Sequence, residues 1–285
     1  MPNHEQLSIG QCATLACLLE VTAPKPGNVH RGADFEDMTF LDFVLSAAAI
    51  GPVMDRAGQG GVGQTVLDAI HATRRMVRVN TNLGTVLLIA PLAAVPREQT
   101  LPDGIAAVLA SLTARDAERV YEAIRLTNPG GLGKVEQMDV ADRPPDDLLL
   151  AMRAAAHRDL VARQYGNAFQ DVFDVVVPSL CRGQEAGWSL TDAVIYTQIT
   201  LLSQFSDSLI ERKCGREVAQ RVSGLARGVL AAGLPGDEDY LQALSDLDFW
   251  LRTDGHRRNP GTTADLIAAG LFAALREGLI QPPFR

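Results

Sequence analysis

Glu20-Val-Thr-Ala-Pro-Lys-Pro-Gly-Asn-Val-His-Arg-Gly-Ala-Asp-Phe-Glu-Asp37 is the stretch on which the reading of this chain turns. A helical pattern runs into it and another leaves it. Pro24 and Pro26 cannot continue a helix, and each pushes the residue before it toward extended geometry. Lys25 is therefore held on a stiff Pro-Lys-Pro segment, and Gly27 lets the backbone turn or approach a ligand closely. A fixed cation beside a glycine, followed by Asp34, Glu36 and Asp37, suits a phosphate and its divalent metal. The same residues also describe a capped interhelical loop with a solvated charge cluster, and on composition alone both readings stand.

Outward from this stretch the pattern is helical in both directions. Leu7, Ile9, Cys12, Leu15, Ala16 and Leu19 recur at helical spacing, which predicts a helix over residues 5–20 ending at Glu20. Thr39 opens the next helix with Asp42 three residues on, an imperfect capping box. That helix crosses Gly51-Pro52 and reaches about Arg56. Gly58–Gly63 reads as a flexible turn. A helix over 64–79 leads to Asn80-Thr-Asn-Leu-Gly84, a helix N-terminus whose amides suit an anion or a plain cap before a buried helix. Pro96–Gly104 reads as a loop. Further helices are expected at 105–112, 115–126, one or two over 147–187, then 190–205, 215–232, 237–251 and 266–277. Val175–Val177 could form a strand, but it lies inside a helix-period run. With no persistent period-two pattern, repeat or linker, the expected fold is all-α. It is one globular domain over 1–285, of roughly eleven to thirteen helices.

Composition narrows the function. The chain has 285 residues, 47% hydrophobic but only 5% aromatic, so its core must be built from Ala, Leu, Val and Ile, which favours closely packed helices. A net charge of −8 argues against a nucleic-acid or acidic-membrane partner. Cys12, Cys17, Cys181 and Cys214 show no zinc-ligand spacing and read as free thiols. No apolar run is long enough to span a bilayer, and the expectation is a soluble, cytoplasmic protein. Leu126-Thr-Asn-Pro-Gly-Gly-Leu-Gly-Lys134 fails as a phosphate loop. Its required first glycine is Asn128, and no Ser or Thr follows Lys134. Val135–Asp147 is acidic and looks lid-like. A homodimer fits a small-residue helical core, but no sequence feature decides it.

Polar groups gather at three further predicted helix ends. They are Thr81-Asn82-x-Gly84, Asp207-Ser-Leu-Ile-Glu-Arg212-Lys213, and Asn259-Pro-Gly261-Thr-Thr263-Ala-Asp265. Together with Glu20, Lys25, Gly27, Asn28 and Asp37 these stretches resemble the ATP:dephospho-CoA triphosphoribosyl transferase family. The resemblance implies an all-helical enzyme that uses ATP and Mg²⁺. It implies that the 5-triphosphoribosyl group of ATP moves to the 2′-hydroxyl of dephospho-CoA and adenine is released. Such chemistry needs carboxylates for an oxocarbenium-like centre and a base for the hydroxyl. It also needs cations on phosphate and Asp or Glu on Mg²⁺. The assignment expected here is Glu20 and Asp207 as catalytic groups, and Asp37 and Asp265 on Mg²⁺. Lys25, Gly27, Asn28, Asn82, Arg212, Lys213, Asn259, Gly261 and Thr263 are expected to bind the nucleotide. His30 and His256 lie in the two key loops. The chain departs from the family where Leu83-Gly84 replaces His-Lys-Gly. It departs again where Arg163-Gln-Tyr-Gly166 is the nearest counterpart of Ala-Arg-Gly-Glu-Ala, and at Pro260-Gly-Thr-Thr263 in place of Pro-Gly-Gly-Ser. An alternative is therefore a paralogue with the same ATP and Mg²⁺ frame but another acceptor, or hydrolysis of the N-glycosidic bond. If the site is real, the loop after the first helix and the loop before the last must meet.

Overall fold

A helix buried almost all round lies at the centre of the computed structural model, which describes residues 6–127 and 144–284. It is α15 (Gly261–Arg276), and of its sixteen residues only Gly261, Ala264 and Asp265 escape burial. Leu266, Ile267, Leu271 and Phe272 are essentially inaccessible, each contributing about 1.5–3 kcal/mol by leaving water. The three open positions follow the i, i+3, i+4 spacing of one helix face, so a single short stripe of the helix opens outward.

The chain wraps this helix with α1 (Ile9–Thr22), α2 (Phe40–Met54), α3 (Ala57–Gly60), α4 (Val62–Met76), α5 (Leu83–Ala93), α6 (Leu101–Ala110) and α7 (Ala114–Thr127). Then come α8 (Leu148–Ala155), α9 (Leu160–Gly166), a π turn (Val172–Val176), α10 (Val177–Glu185), α11 (Leu190–Gln204), α12 (Ser208–Cys214), α13 (Arg216–Ala232) and α14 (Glu238–Arg252). Among the described residues, extended structure is confined to Thr253–His256 and one bridge between His30 and Ala33. The fold is all-α. A main apolar cluster surrounds α15, and a second is built by α11, α12, α13 and α14.

The described helices number fifteen, more than expected, because local caps cut the long patterns. The Gly58–Gly63 stretch is not a plain turn: α3 occupies its start, and Gly61, at φ +84°, turns the chain into α4. The 147–187 run is divided by Asp147 and Asp159, whose carboxylates cap α8 and α9. Ala168 and Phe169 then break it again in left-handed geometry (φ 54° and 63°). Val175–Val177 is helical rather than a strand. Pro96–Gly104 is only partly a loop, since Thr100 caps α6. The remainder of the glycine-rich and acidic stretch after Thr127, up to residue 143, lies outside the described residues, as does His4.

Small residues do bring helices together, as the composition suggests. A Cβ on Gly10 of α1 would meet the Gly51 carbonyl of α2 at 2.3 Å, and one on Gly270 of α15 would meet Val176 at the same distance. The four cysteines are free. Among the described residues, no helix is long and apolar enough to cross a membrane.

Candidate functional site

The loops expected to meet do meet. Asn28 Nδ2 donates to Asn259 Oδ1 at 2.6 Å, and Arg252 donates to the Asn28 carbonyl at 2.7 Å. Gln198 of α11 donates to the Asn28 side chain and the Pro26 carbonyl from below. Above this junction opens a cleft of about 1500 Å³, walled by the ends of α1, α4, α7, α8 and α12 and by the first turns of α5 and α15. The open stripe of α15 continues at Ala268, and Gly261, Ala264, Asp265 and Ala268 all face the cleft. Although the chain is acidic, the lining carries six cations (Arg74, Arg78, Arg125, Arg158, Arg212, Lys213) against five carboxylates (Glu20, Asp37, Asp159, Glu211, Asp265).

Asp265 sits where α5 and α15 converge. Thr85 Oγ1 donates to its Oδ1 at 2.7 Å. Gly84 lies so close that a Cβ there would stand 2.0 Å from Asp265 Oδ2, a contact no side chain could make. Burial raises the Asp265 carboxyl to about 7, with Thr85 opposing and the negative charge of Glu20 adding to the rise. Neither α5 nor α15 is capped by the side chain of its own N-cap residue; Asn80 Oδ1 accepts from the Leu83 amide at 3.2 Å and Asp207 Oδ2 from the Thr263 amide at 2.7 Å instead.

Lys25 does not reach this space. It is fully buried, and its ammonium ties back to the Glu20 carboxylate at 2.8 Å and to the carbonyls of Glu20 and Ala23. Three donors meet three oxygens at the C-terminal end of α1, where a cation also offsets the helix dipole. The proline-flanked turn that was expected to present Lys25 to a phosphate instead folds it inward. Its work is to fix Glu20, which does line the cleft.

Asp207 departs in the same way from its expected catalytic role. Its Oδ1 accepts from the Leu209 and Ile210 amides as the cap of α12, and its Oδ2 accepts from the Thr263 amide and hydroxyl at 2.7 and 2.8 Å. It is buried, and burial pushes its carboxyl up while the Thr263 and Ile210 bonds pull the other way. Thr263 is thereby spent on Asp207. Gly27 is structural too: it holds φ +74°, donates to Asp248 at 2.7 Å and packs on Leu251. The remaining expected residues, Asn28, Asp37, Asn82, Arg212, Lys213, Asn259 and Gly261, line the cleft with Glu20 and Asp265.

At the rim Phe35 stacks on His256 with centroids 5.0 Å apart, and Asp37 lies 3.6 Å from His256 Nδ1. Burial pulls the Lys213 ammonium below its ordinary value, with Asp37 opposing. Arg212 pairs with Asp159 at 2.5 Å. His30 is not part of the lining; its Nδ1 accepts from the Gly32 amide. Arg163 is also elsewhere, paired with Asp171 and over the Phe205 ring. Arg125, Arg158 and Thr85 carry no sequence signal for the cleft, whereas Arg74 and Arg78, which flank the Asn80 segment, fit either a phosphate contact or the commoner exposed helix face. Among the described residues no group of three or more His, Cys, Asp or Glu stands ready to hold a metal ion.

The family model described as ATP:dephospho-CoA triphosphoribosyl transferase matches residues 6–283. The chain belongs to this family. It is accordingly a transferase, of the triphosphoribosyl-dephospho-CoA synthase group. A probable 2-(5''-triphosphoribosyl)-3'-dephosphocoenzyme-A synthase of Malonomonas rubra is 26% identical, covering 94% of this chain and 87% of that one. A second protein so named, from Azotobacter vinelandii, is 25% identical over 53% of this chain and 51% of its own. A crystal structure from Archaeoglobus fulgidus, provisionally assigned as a triphosphoribosyl-dephospho-CoA synthase, superposes with TM-score 0.64 at 27% identity, covering 82% of this chain and 98% of that one.

Proposed function

We propose that this family member transfers the 5-triphosphoribosyl group of ATP to the 2′-hydroxyl of 3′-dephospho-CoA and releases adenine. The observation that carries the reading is Asp265, held on one oxygen by Thr85, packed against Gly84 and lining a cation-rich cleft, where burial raises its carboxyl to about 7. A base poised near neutral pH is what deprotonation of a sugar hydroxyl calls for. In the step, the hydroxyl oxygen attacks C1′ of the ATP ribose and its proton passes to Asp265. The C1′–N9 bond breaks, its electron pair leaves with adenine, and adenine takes a proton from solvent water while Asp265 returns the hydroxyl proton to solvent. Glu20, held in place by Lys25, faces the positive charge that grows on the ribose.

Mg²⁺ belongs to this reading through the triphosphate. It is usually held by one or two carboxylates together with phosphates and waters, not by an all-protein cage. Asp37 fits that need. Its carboxylate is 59% exposed at the rim, and its charge reaches Lys213. Asp265, which keeps a proton up to about pH 7, suits a base better than a metal ligand, which must be ionised to bind. Bound by Asp37, Mg²⁺ would neutralise triphosphate oxygens.

The Leu83-Gly84 step beside Asp265, which lacks the imidazole and cation of the His-Lys-Gly that the family resemblance implies at this spot, favours a second reading: the same nucleotide site serving a different acceptor. One experiment separates the two. Purified protein with ATP and Mg²⁺ is assayed for adenine with and without dephospho-CoA. Adenine that depends on dephospho-CoA supports the first reading, adenine without it supports hydrolysis, and none in either tube sends the search to other acceptors.

A further inference from the structure

Four of the six cations of the cleft belong to two walls that meet at Asp265. On the first, Arg212 and Lys213 come from α12, which is joined to the start of α15 by the Asp207–Thr263 bonds. On the second, Arg74 lies in the last turn of α4 and Arg78 just beyond it. That wall is joined to the start of α5 by the bond from Asn82 Nδ2 to Thr73 Oγ1 at 3.0 Å. The two walls differ in their present engagements. Arg212 is paired with Asp159, and Lys213 feels Asp37. Arg74 and Arg78 are exposed, line the cleft, and form no ion pair among the described residues.

The second wall also has an apolar half. Helix α4 packs on α7 and α7 on α8, and Ile124, Leu148 and Met152 of those helices line the same cleft. The cavity, at about 1500 Å³, exceeds the roughly 300–1,000 Å³ usual for one small ligand. It has room for two nucleotides at once. ATP is a polyanion without an apolar tail. Dephospho-CoA is a pyrophosphate diester with a long, weakly polar arm. Charge next to an apolar surface therefore matches the acceptor.

Resting on the reading proposed above, we infer that the α4–α7–α8 wall is the acceptor seat. Arg74 and Arg78 bind the pyrophosphate of dephospho-CoA, and Ile124, Leu148 and Met152 take its pantetheine arm. The α12 wall is left to the triphosphate of ATP. Both substrates then occupy the cleft together, and initial-rate kinetics follow a sequential pattern, not a ping-pong one.

The test is the Arg74→Gln/Arg78→Gln double variant, in which both altered side chains are exposed, read in two ways. In steady-state assays the acceptor KM rises by at least tenfold, from two lost charge-assisted contacts, while the ATP KM stays within about twofold. Lys213→Gln shows the reverse pattern. In calorimetry without ATP, dephospho-CoA binds the double variant at least tenfold more weakly than wild type. Equal acceptor KM and equal binding in variant and wild type overturn the seat even if adenine is formed. So does a rise in ATP KM matching that in acceptor KM. Wild type that binds dephospho-CoA through these arginines yet forms no adenine keeps the seat and sinks the proposed reaction. Wild type that neither binds dephospho-CoA nor forms adenine sinks both.

Discussion

Asp207 caps the start of α12 and Asp265 stands one turn into α15, and both carry a raised carboxyl. What surrounds them differs. Asp207 accepts four hydrogen bonds from Leu209, Ile210 and Thr263, with nothing left to offer. Asp265 is held by Thr85 on one oxygen and lines the cleft. A carboxylate whose acceptor sites are filled by the protein is a fastener. One that is held in place and still open is available for chemistry. Lys25 and Lys213 repeat the contrast: the first is spent on three oxygens at the end of α1, the second faces the cleft.

Asp265→Asn challenges this contrast most directly. Loss of a general base should lower kcat by roughly 10²–10⁴-fold. In wild type, the kcat limb should rise with pH through about 7, where the carboxyl loses its proton. Stability should move the other way. The folded protein holds this proton above the ordinary carboxylate range, so the Asp265 contribution is full near pH 4 and falls as pH rises through about 7. The Asn variant should match wild type in urea near pH 4 and exceed it at pH 8, by on the order of 2 kcal/mol. A variant that loses stability at pH 8 would place Asp265 with the fasteners.

Lys25→Met should cost about 3–5 kcal/mol in chemical denaturation, since it leaves the Glu20 carboxylate buried without its partner. If Lys25 contacted phosphate instead, the variant would keep its stability and show a raised ATP KM. Asp207→Asn should cost about 2–4 kcal/mol, because an amide donor would be turned toward donors already in place. Its pH–rate profile should keep the wild-type limb. Gly84→Ala should cost about 1–3 kcal/mol, as overpacking does. Its activity should fall further than its melting temperature suggests, because the displaced atom is the Asp265 carboxylate. The smallest effect on stability belongs to His256→Ala, within about 0.5 kcal/mol, as expected of an exposed pair with Asp37.

Much of the fold could be read from the chain because helix signals are local. Thr39 and Asp42 form the capping box their spacing announced, and α2 continues across Gly51-Pro52 as its apolar period required. The first capping box, Ser8 with Gln11, was equally local and was overlooked. The site was harder to read because its decisive facts are tertiary. Pro24 and Pro26 fix the backbone around Lys25, but whether its side chain turns in or out depends on carbonyls at the end of the preceding helix. Asp207 and Asp265 look alike in sequence, and only the donors brought by Thr263 and Thr85 tell them apart. Arg74 and Arg78 fit an exposed helix face as well as a phosphate contact in sequence, because nothing in their own stretch shows that α7 and α8 line a cleft beside them.

The burial of α15 on nearly all sides bears on how the protein is made. Helices α1, α5, α9, α10 and α11 all pack against it, and each leaves the ribosome before it does. Until α15 emerges, those helices hold apolar faces with no partner, and the nascent chain is most exposed to aggregation and chaperone capture in that interval. Both the core and the Asp265 corner need this one late segment, so the site cannot be assembled before α15 joins the fold.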